Sequence, residues 1–223
     1  MMTVEEAIVG RQSIRAYLPN AVPHDVLERV LRTAGRAPSG SNIQPWHVYV
    51  LEGAAKDALC TDLTARLIAG DEGKREYNYY PVKWRDPYLA RRRETGWGLY
   101  GLLGIGRADK AAMAAQHRQN FSFFGAPAGL IFTIDRDMEL GSWLDTGMFI
   151  QSAMIAARGE GLETCAQAAF CQYHDVIQKR LNIPAGQQVV CGMALGYGDP
   201  DAKINRFRTT RIPIDDFVTW VKT

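Results

Sequence analysis

The 223-residue sequence has no run approaching the ~20 consecutive apolar residues that a membrane-spanning helix needs, so a helical membrane protein is excluded. It is poor in metal ligands. Its four histidines (His24, His47, His117, His174) stand singly, and its four cysteines (Cys60, Cys165, Cys171, Cys191) form no CxxC pair and have no histidine at zinc spacing. Buried reduced thiols, and no metal site, are the expectation. A dominant charge is also missing: 26 basic against 24 acidic residues leave +2, which gives no nucleic-acid footprint. The opening residues MMTVEEAIVGRQ lack the charged-then-apolar pattern of a signal peptide, so a cytoplasmic location is expected. Walker, HExxH and GxSxG motifs do not occur, and nothing supports catalysis by an activated serine or cysteine. Gly96-Trp97-Gly98-Leu99-Tyr100-Gly101 matches G-x-G-x-x-G as text, but Arg91-Arg92-Arg93-Glu94-Thr95 precedes it where a dinucleotide loop requires a buried strand.

What is present describes a globular chain, 47% hydrophobic and 22% charged. A chain of this size buries roughly 70% of its unfolded surface. With no linker, repeat or low-complexity tract, residues 1–223 read as a single domain. Thr3 and Glu6 form a capping box for a short helix ending near Gly10, and Val26, Leu27, Val30, Leu31 and Ala34 place a second helix over about 24–36. Strands are expected at His47–Leu51, Ala128–Ile134, Glu163–Ala169 and Gln188–Leu195. Further helices are expected at Ala54–Ala69, Asp109–Gln119, Leu144–Gly161, Asp175–Leu181 and near Asp215–Val221. Residues 71–108 mix aromatics with arginines and show no clean period, which suggests an exposed excursion with short helices. Helix Leu144–Gly161 is apolar or small on nearly every side and must be covered, in a core or between subunits. The mixed element order predicts an α+β fold with a sheet sandwiched by helices.

Three clusters carry chemistry. Arg11-Gln12-Ser13-Ile14-Arg15 follows the first helix and offers two guanidinium forks with a hydroxyl and an amide, a set suited to an anion such as phosphate or to a solvated basic turn. Ala37-Pro38-Ser39-Gly40-Ser41-Asn42-Ile43-Gln44-Pro45-Trp46 fixes a loop from which amides and hydroxyls project, the mixture of donors and acceptors that a planar imide-bearing heterocycle would need, or that a self-bonded turn would use. Asn205-Arg206-Phe207-Arg208-Thr209-Thr210-Arg211-Ile212-Pro213 sets three arginines around a hydroxyl pair, as a surface face or as the holder of a terminal phosphate.

Taken together and in this order, RQSIR, APSGSNIQPW and NRFRTTRIP resemble the FMN-dependent nitroreductase family, over nearly the whole chain. Phe123-Phe124-Gly125-Ala126-Pro127, Asp145 to Gln151 and Leu195-Gly196-Tyr197-Gly198-Asp199 are similar to the group that includes nitrobenzoate reductases. The resemblance implies the nitroreductase-like fold, a mostly antiparallel central sheet sandwiched by helices in an intertwined homodimer. It implies FMN, with Arg11, Gln12, Ser13 and Arg15 at the phosphate, ribityl and pyrimidine side, and Pro38, Ser39, Gly40, Ser41, Asn42 and Gln44 under the flavin, often from the other subunit. Gln167, Ala168 and Ala169 match the segment that passes the N5 edge; many relatives have Pro-x-Glu-Gly there, so a backbone contact carries over and a glutamate side-chain role does not. Arg208 and Arg211 match the phosphate-holding tail, with Thr209 where some relatives have lysine, and Asn120 falls near the pyrimidine edge. The implied activity is an NAD(P)H-dependent FMN nitroreductase, in which electrons from NADPH or NADH pass through FMN N5 to a nitroaromatic, quinone or enone by a ping-pong mechanism. No residue acts as a separate catalytic group. Alternatives on the same scaffold are reductive dehalogenation, oxygen-dependent flavin breakdown or flavin binding without catalysis. The excursion at 71–108 then reads as a lid or a dimer-interface segment.

Overall fold

The structure, a computed structural model, describes residues 2–222, so Met1 and Thr223 of the span read as one domain lie outside the described residues. Helices α1 (Val4–Gly10) and α2 (His24–Ala34) lead to strand β1 (Trp46–Glu52) and helix α3 (Gly53–Ile68). Helices α4 (Tyr88–Leu103) and α5 (Lys110–Arg118) precede β2 (Ala128–Asp135), α6 (Leu140–Gly159), β3 (Glu163–Gln167), α7 (His174–Leu181) and β4 (Gln187–Gly196). The four strands form one sheet in the order β1-β2-β4-β3, and every pairing is antiparallel. No helix among the described residues is long and apolar enough to cross a membrane.

Helices cover both faces of this sheet, so the α+β sandwich expected from the sequence is borne out. On one face Leu130, Phe132 and Ile134 of β2 pack with Leu27, Val30 and Ala34 of α2 and with Phe149, Ala153 and Ala157 of α6. On the other, Ile131 of β2 and Ala194 of β4 pack with Leu59 and Leu63 of α3 and with Phe121, Phe123, Phe170, Tyr173 and Ile177. The alternation along β2 is the two-residue period of a pleated strand, and both periods are apolar because both faces are covered. Thr3 caps α1 with the predicted box: its Oγ1 accepts from Glu6 N–H at 3.2 Å and its N–H donates to the Glu6 carboxylate at 2.7 Å.

Two glycines in the central strands make sockets for aromatic rings. A Cβ on Gly129 would stand 2.6 Å from the Phe123 ring, and one on Gly192 would stand 2.4 Å from Phe170. Those two rings stack at 4.5 Å between centroids. Phe123 and Phe124 take the left-handed conformation (φ 51° and 55°) that turns the chain into these sockets.

Several boundaries differ from expectation. The excursion holds one continuous 16-residue helix, α4, rather than short pieces. Its first half is rich in helix formers, Asp86 caps Ala90 N–H at 3.2 Å, and Gly104 closes it in the left-handed conformation. The three glycines in its second half hide it from pattern reading. The G-x-G-x-x-G text lies inside this helix, as the missing strand implied. Helix α6 starts four residues earlier than expected, at Leu140. Strand β3 ends at Gln167 and passes into a 3-10 turn over Ala168–Gln172. No terminal helix forms over 215–221: a 3-10 turn at Ile214–Asp216 is all that appears, and Phe217, Trp220 and Val221 are exposed. Seven residues without an apolar partner cannot repay helix nucleation.

Substituting alanine for Gly192 forces its methyl into Phe170. The Gly192→Ala variant is expected to lose about 1–3 kcal/mol of stability, the usual cost of overpacking a core, read as a lower denaturant midpoint at an unchanged slope.

Candidate functional site

The segment Arg11–Arg15 is held as an extra edge beside the sheet. Ser13 bridges Thr164 of β3 in parallel, Ile14 N–H donates to Thr164 C=O at 3.1 Å, and Leu18 N–H donates to Tyr197 C=O at 2.8 Å. The C-terminal tail is locked onto it by one side chain. Asn205, 8% exposed, accepts from Arg15 N–H at 2.8 Å through Oδ1, and its Nδ2 donates to Ala16 C=O at 2.8 Å and Asp199 C=O at 2.9 Å. The sequence marks Asn205 only as the first residue of an arginine-rich run; an amide preceding such a run is the one signal that could have pointed to this clamp.

The result is a cleft of about 460 Å³ lined by Arg11, Gln12, Ser13, Arg15, Arg208 and Arg211 together with Ile8, Val9, Thr95, Phe207 and Thr209. Two clusters almost 200 residues apart in sequence thus meet in one place. Arg208 Nη1 donates to Gln12 Oε1 and to Asn205 C=O (2.8 Å), and Arg211 Nη1 donates to Thr209 Oγ1 (2.7 Å) and Thr210 C=O (2.8 Å). Arg15 Nη1 folds back on Ser13 C=O at 3.1 Å. Among the described residues no carboxylate stands within 4.0 Å of any of the four guanidiniums; the arginine ion pairs involve Arg29, Arg32, Arg66, Arg136, Arg158 and Arg180 instead. Four converging cations without a counter-ion call for an external anion.

A larger groove of about 740 Å³ runs between α3 and α7. Its two arginines are matched: Arg66 pairs with Asp175 at 3.2 Å, and Arg180 pairs with Asp62, which leaves Lys179 as a single cation without an ion pair among the described residues. One lysine against the four converging guanidiniums of the arginine cleft makes the cleft the chemically distinctive site.

Sequence reading did not find Thr95 and Phe207 as lining residues. They are brought there by α4, which docks on the tail where a Cβ on Gly98 would meet the Phe207 ring at 2.8 Å and where Thr210 Oγ1 donates to Glu94 at 3.0 Å.

The other two predicted clusters lie apart from the cleft within one chain. In the loop of Pro38, Ser39, Gly40, Ser41, Asn42 and Gln44, none lines that cavity. Gly40 N–H is fixed by the buried Asp145 of α6 at 3.1 Å, and Ser39 Oγ accepts from Gln44 N–H at 3.0 Å. Ser41, Asn42 and Gln44 all take positive φ (50°, 58° and 49°) and are exposed, with Gln44 Nε2 donating back to Asn42 C=O at 3.1 Å. A loop that keeps three non-glycine residues there stores strain, which functional loops tolerate. Beyond β3, Ala168 and Ala169 are half-buried, whereas Gln167 is buried. Its Nε2 donates to Asn120 C=O at 2.7 Å, and its Oε1 is buried without a partner among the described residues.

The Nitroreductase family model matches residues 8–197. The chain belongs to the nitroreductase family. The resemblance read from the three motifs is therefore borne out, as is its fold. This nitroreductase-family chain is 43% identical over 220 residues to a 4-nitrobenzoate reductase of Nocardioides sp. (strain LMS-CY), covering 97% of this chain and 89% of that one. Among solved structures it superposes at TM-score 0.96, with 36% identity and 99% and 100% coverage, on the FMN- and NADPH-dependent nitroreductase NfnB from Sphigopyxis sp. strain HMH. It also matches the FMN-dependent nitroreductase NfnB from Mycobacterium smegmatis in complex with NADPH at TM-score 0.93, 30% identical, covering 98% and 97%.

Asn205→Ala removes one acceptor and two donors from half-buried backbone partners. A loss of about 1–3 kcal/mol is expected, measured by denaturant unfolding; stability equal to wild type would mean that the amide does not hold the tail.

Proposed function

We propose that this chain is an FMN-dependent oxidoreductase that takes electrons from NADPH or NADH and delivers them to a nitroaromatic acceptor. The observation that carries this reading is the set of four guanidiniums, drawn from both ends of the chain, that share one cleft without a carboxylate. A phosphate monoester brings nearly two negative charges and three acceptor oxygens, which is what such a set lacks. Arg11 is the leading ligand, because its guanidinium has no hydrogen-bond partner among the described residues, while Ser13, Arg208 and Arg211 complete the phosphate end. Gln12 and Arg15 face the ribityl and pyrimidine side. Gln167, Ala168 and Ala169 pass the ring edge, and Asn120, held by Gln167, stands at the pyrimidine end.

FMN held by these residues would supply the redox chemistry between a nicotinamide donor and an electron-poor acceptor. The residues of the chain bind, orient and exclude water. This division suits a site in which no nucleophile–base pair stands beside the arginines. Quinones and activated enones fit the same electron-poor class of acceptor.

The site is read as being completed by a second copy of the chain. Leu140, Leu144 and Met148 of α6 are 81%, 72% and 40% exposed, an apolar face that a helix does not leave in water without reason. Asp145 of the same helix fixes the strained loop 38–44, so whatever covers α6 also meets that loop. Residues 71–77 of the excursion are docked rather than free: Lys74 N–H donates to Gln172 C=O at 2.8 Å, Arg136 pairs with Glu76 at 2.6 Å, and Tyr77 packs edge-on to Trp143 at 4.6 Å. The lid or interface role thus narrows to the exposed aromatics after Tyr77 and to α4, which we read as a wall of the site.

Purified protein is expected to be yellow, to lose its flavin absorbance on anaerobic addition of NADPH or NADH, and to regain it on adding 4-nitrobenzoate. A protein that stays colourless after incubation with FMN would end this reading. Arg11→Ala is expected to weaken FMN about 10- to 100-fold, the scale of a lost charged hydrogen bond. In size-exclusion chromatography the flavin should travel with a dimer; stoichiometric FMN on a monomer would remove the shared site.

A further inference from the structure

Behind the arginine cleft lies a second cavity, about 540 Å³, and the two share Gln12 and Arg208 as a common wall. The second cavity is lined by two carboxylates, Asp199, whose Oδ1 accepts from Asp201 N–H at 2.9 Å, and Glu163, which is the one held against an arginine. Glu163 opens β3, one residue before the Thr164 that carries the Arg11–Arg15 segment. Its side chain is 17% exposed and wedged in place: a Cβ on Gly198 would stand 3.1 Å from Glu163 Cγ. One carboxylate oxygen pairs with Arg158 of α6; the other, Oε2, is buried without a hydrogen-bond partner among the described residues. Arg158 in turn presses under Gly10, where a Cβ would come within 2.6 Å of its Nη2, directly before Arg11.

We propose that Glu163 is the counter-charge built into the phosphate site, an affinity-setting residue that offsets the clustered arginines and lowers the hold they would otherwise have on a phosphate. The inference rests on the reading of the cleft as the FMN phosphate site. Arg208 is the hinge of the argument. Its Nη1 is fixed by Gln12 and Asn205, so the guanidinium stands in the wall between the phosphate cleft and Glu163. Burial holds the Glu163 carboxyl above the usual carboxylate range, while Arg158, Arg208 and Arg11, in that order, pull it back down. The carboxylate therefore feels two of the phosphate ligands as well as its direct partner. A salt bridge serving stability alone gains most when both carboxylate oxygens are satisfied, and this one leaves Oε2 bare. The Glu163 carboxylate offsets the charge of Arg158 behind the cleft, so that Arg158 does not add its field to that of Arg11, Arg15, Arg208 and Arg211 and does not strengthen their hold on the incoming dianion.

The test is the ratio of riboflavin to FMN dissociation constants, measured by flavin fluorescence on the deflavinated full chain, because only the phosphate distinguishes the two ligands. In Glu163→Gln the ratio is expected to rise about fivefold, the order of effect of one nearby charge on another in a partly solvated site. Riboflavin affinity should stay within about twofold of wild type. In the double variant Arg158→Met with Glu163→Gln, which removes both charges, the ratio should fall back toward wild type. If Glu163→Gln does not fold, Glu163→Ala is read against the same expectation. A ratio that is unchanged or lower, or FMN and riboflavin affinities that move together, would overturn the proposal and leave Glu163 as a structural partner of Arg158. A wild-type chain that binds the two flavins equally well would instead sink the reading of the cleft as a phosphate site.

Discussion

Four like charges must be held together before any ligand arrives, and much of the local architecture follows from that constraint. Guanidiniums repel one another, and their side chains are long and entropically costly to fix. The chain manages this through backbone rather than through counter-ions at the cleft itself. Asn205 ties the tail to Arg15 N–H and Ala16 C=O, Ser13 is bridged to β3, and Arg208 leans on Gln12 and the Asn205 carbonyl. Arginines 15, 208 and 211 are thereby positioned by neutral acceptors, Arg11 is left without a side-chain partner among the described residues, and the positive charge of all four remains available.

That clamp needs a rigid edge to pull against, and the sheet supplies it. Strands β2 and β4 are buried on both faces, and the close fit of Phe123 and Phe170 against Gly129 and Gly192 leaves little room for either strand to shift. Strand β3 pairs with β4 in register from Glu163 to Gln167, so a single strand carries Thr164 at the arginine cluster and Gln167 at Asn120. Both ends of the proposed flavin site are therefore spaced by the three-residue step from Thr164 to Gln167 along one strand, at roughly 3.4 Å per residue.

How much of this was legible in the sequence depended on whether the signal was local. The capping box at Thr3, the α2 stripe, the apolar strands and the three polar clusters declare themselves through short-range chemistry, and each lies where it was read. Helix α4 was obscured because Gly96, Gly98 and Gly101 lower its propensity, although Gly98 is there to let Phe207 approach. The tail between Ile214 and Val221 carries helical composition without a surface to pack on, and tertiary context decided against it. Asn205 and Glu163 were invisible for a different reason. Much of their importance lies in distant partners, Arg15 and Ala16 for Asn205 and Arg208 and Arg11 for Glu163, and neither has a motif of its own.

The same distinction bears on the loop 38–44. Its residues announce a binding chemistry clearly, yet among the described residues their hydrogen bonds go only to α6 and to one another. Positive φ at Ser41, Asn42 and Gln44 costs on the order of 1–3 kcal/mol each, and a loop that served only itself would have relaxed to glycine or lost the strain. The neighbouring face of α6 exposes Leu140, Leu144 and Met148, which no segment among the described residues covers. The strained loop is anchored at Gly40 to Asp145, on the same helix that exposes Leu140, Leu144 and Met148. One event, the docking of a second chain, would account for both, and it would bring polar loop residues toward an arginine cleft that is otherwise open on its flavin side. A monomeric reading has to explain the strain and the exposed face separately, and it offers no explanation for either.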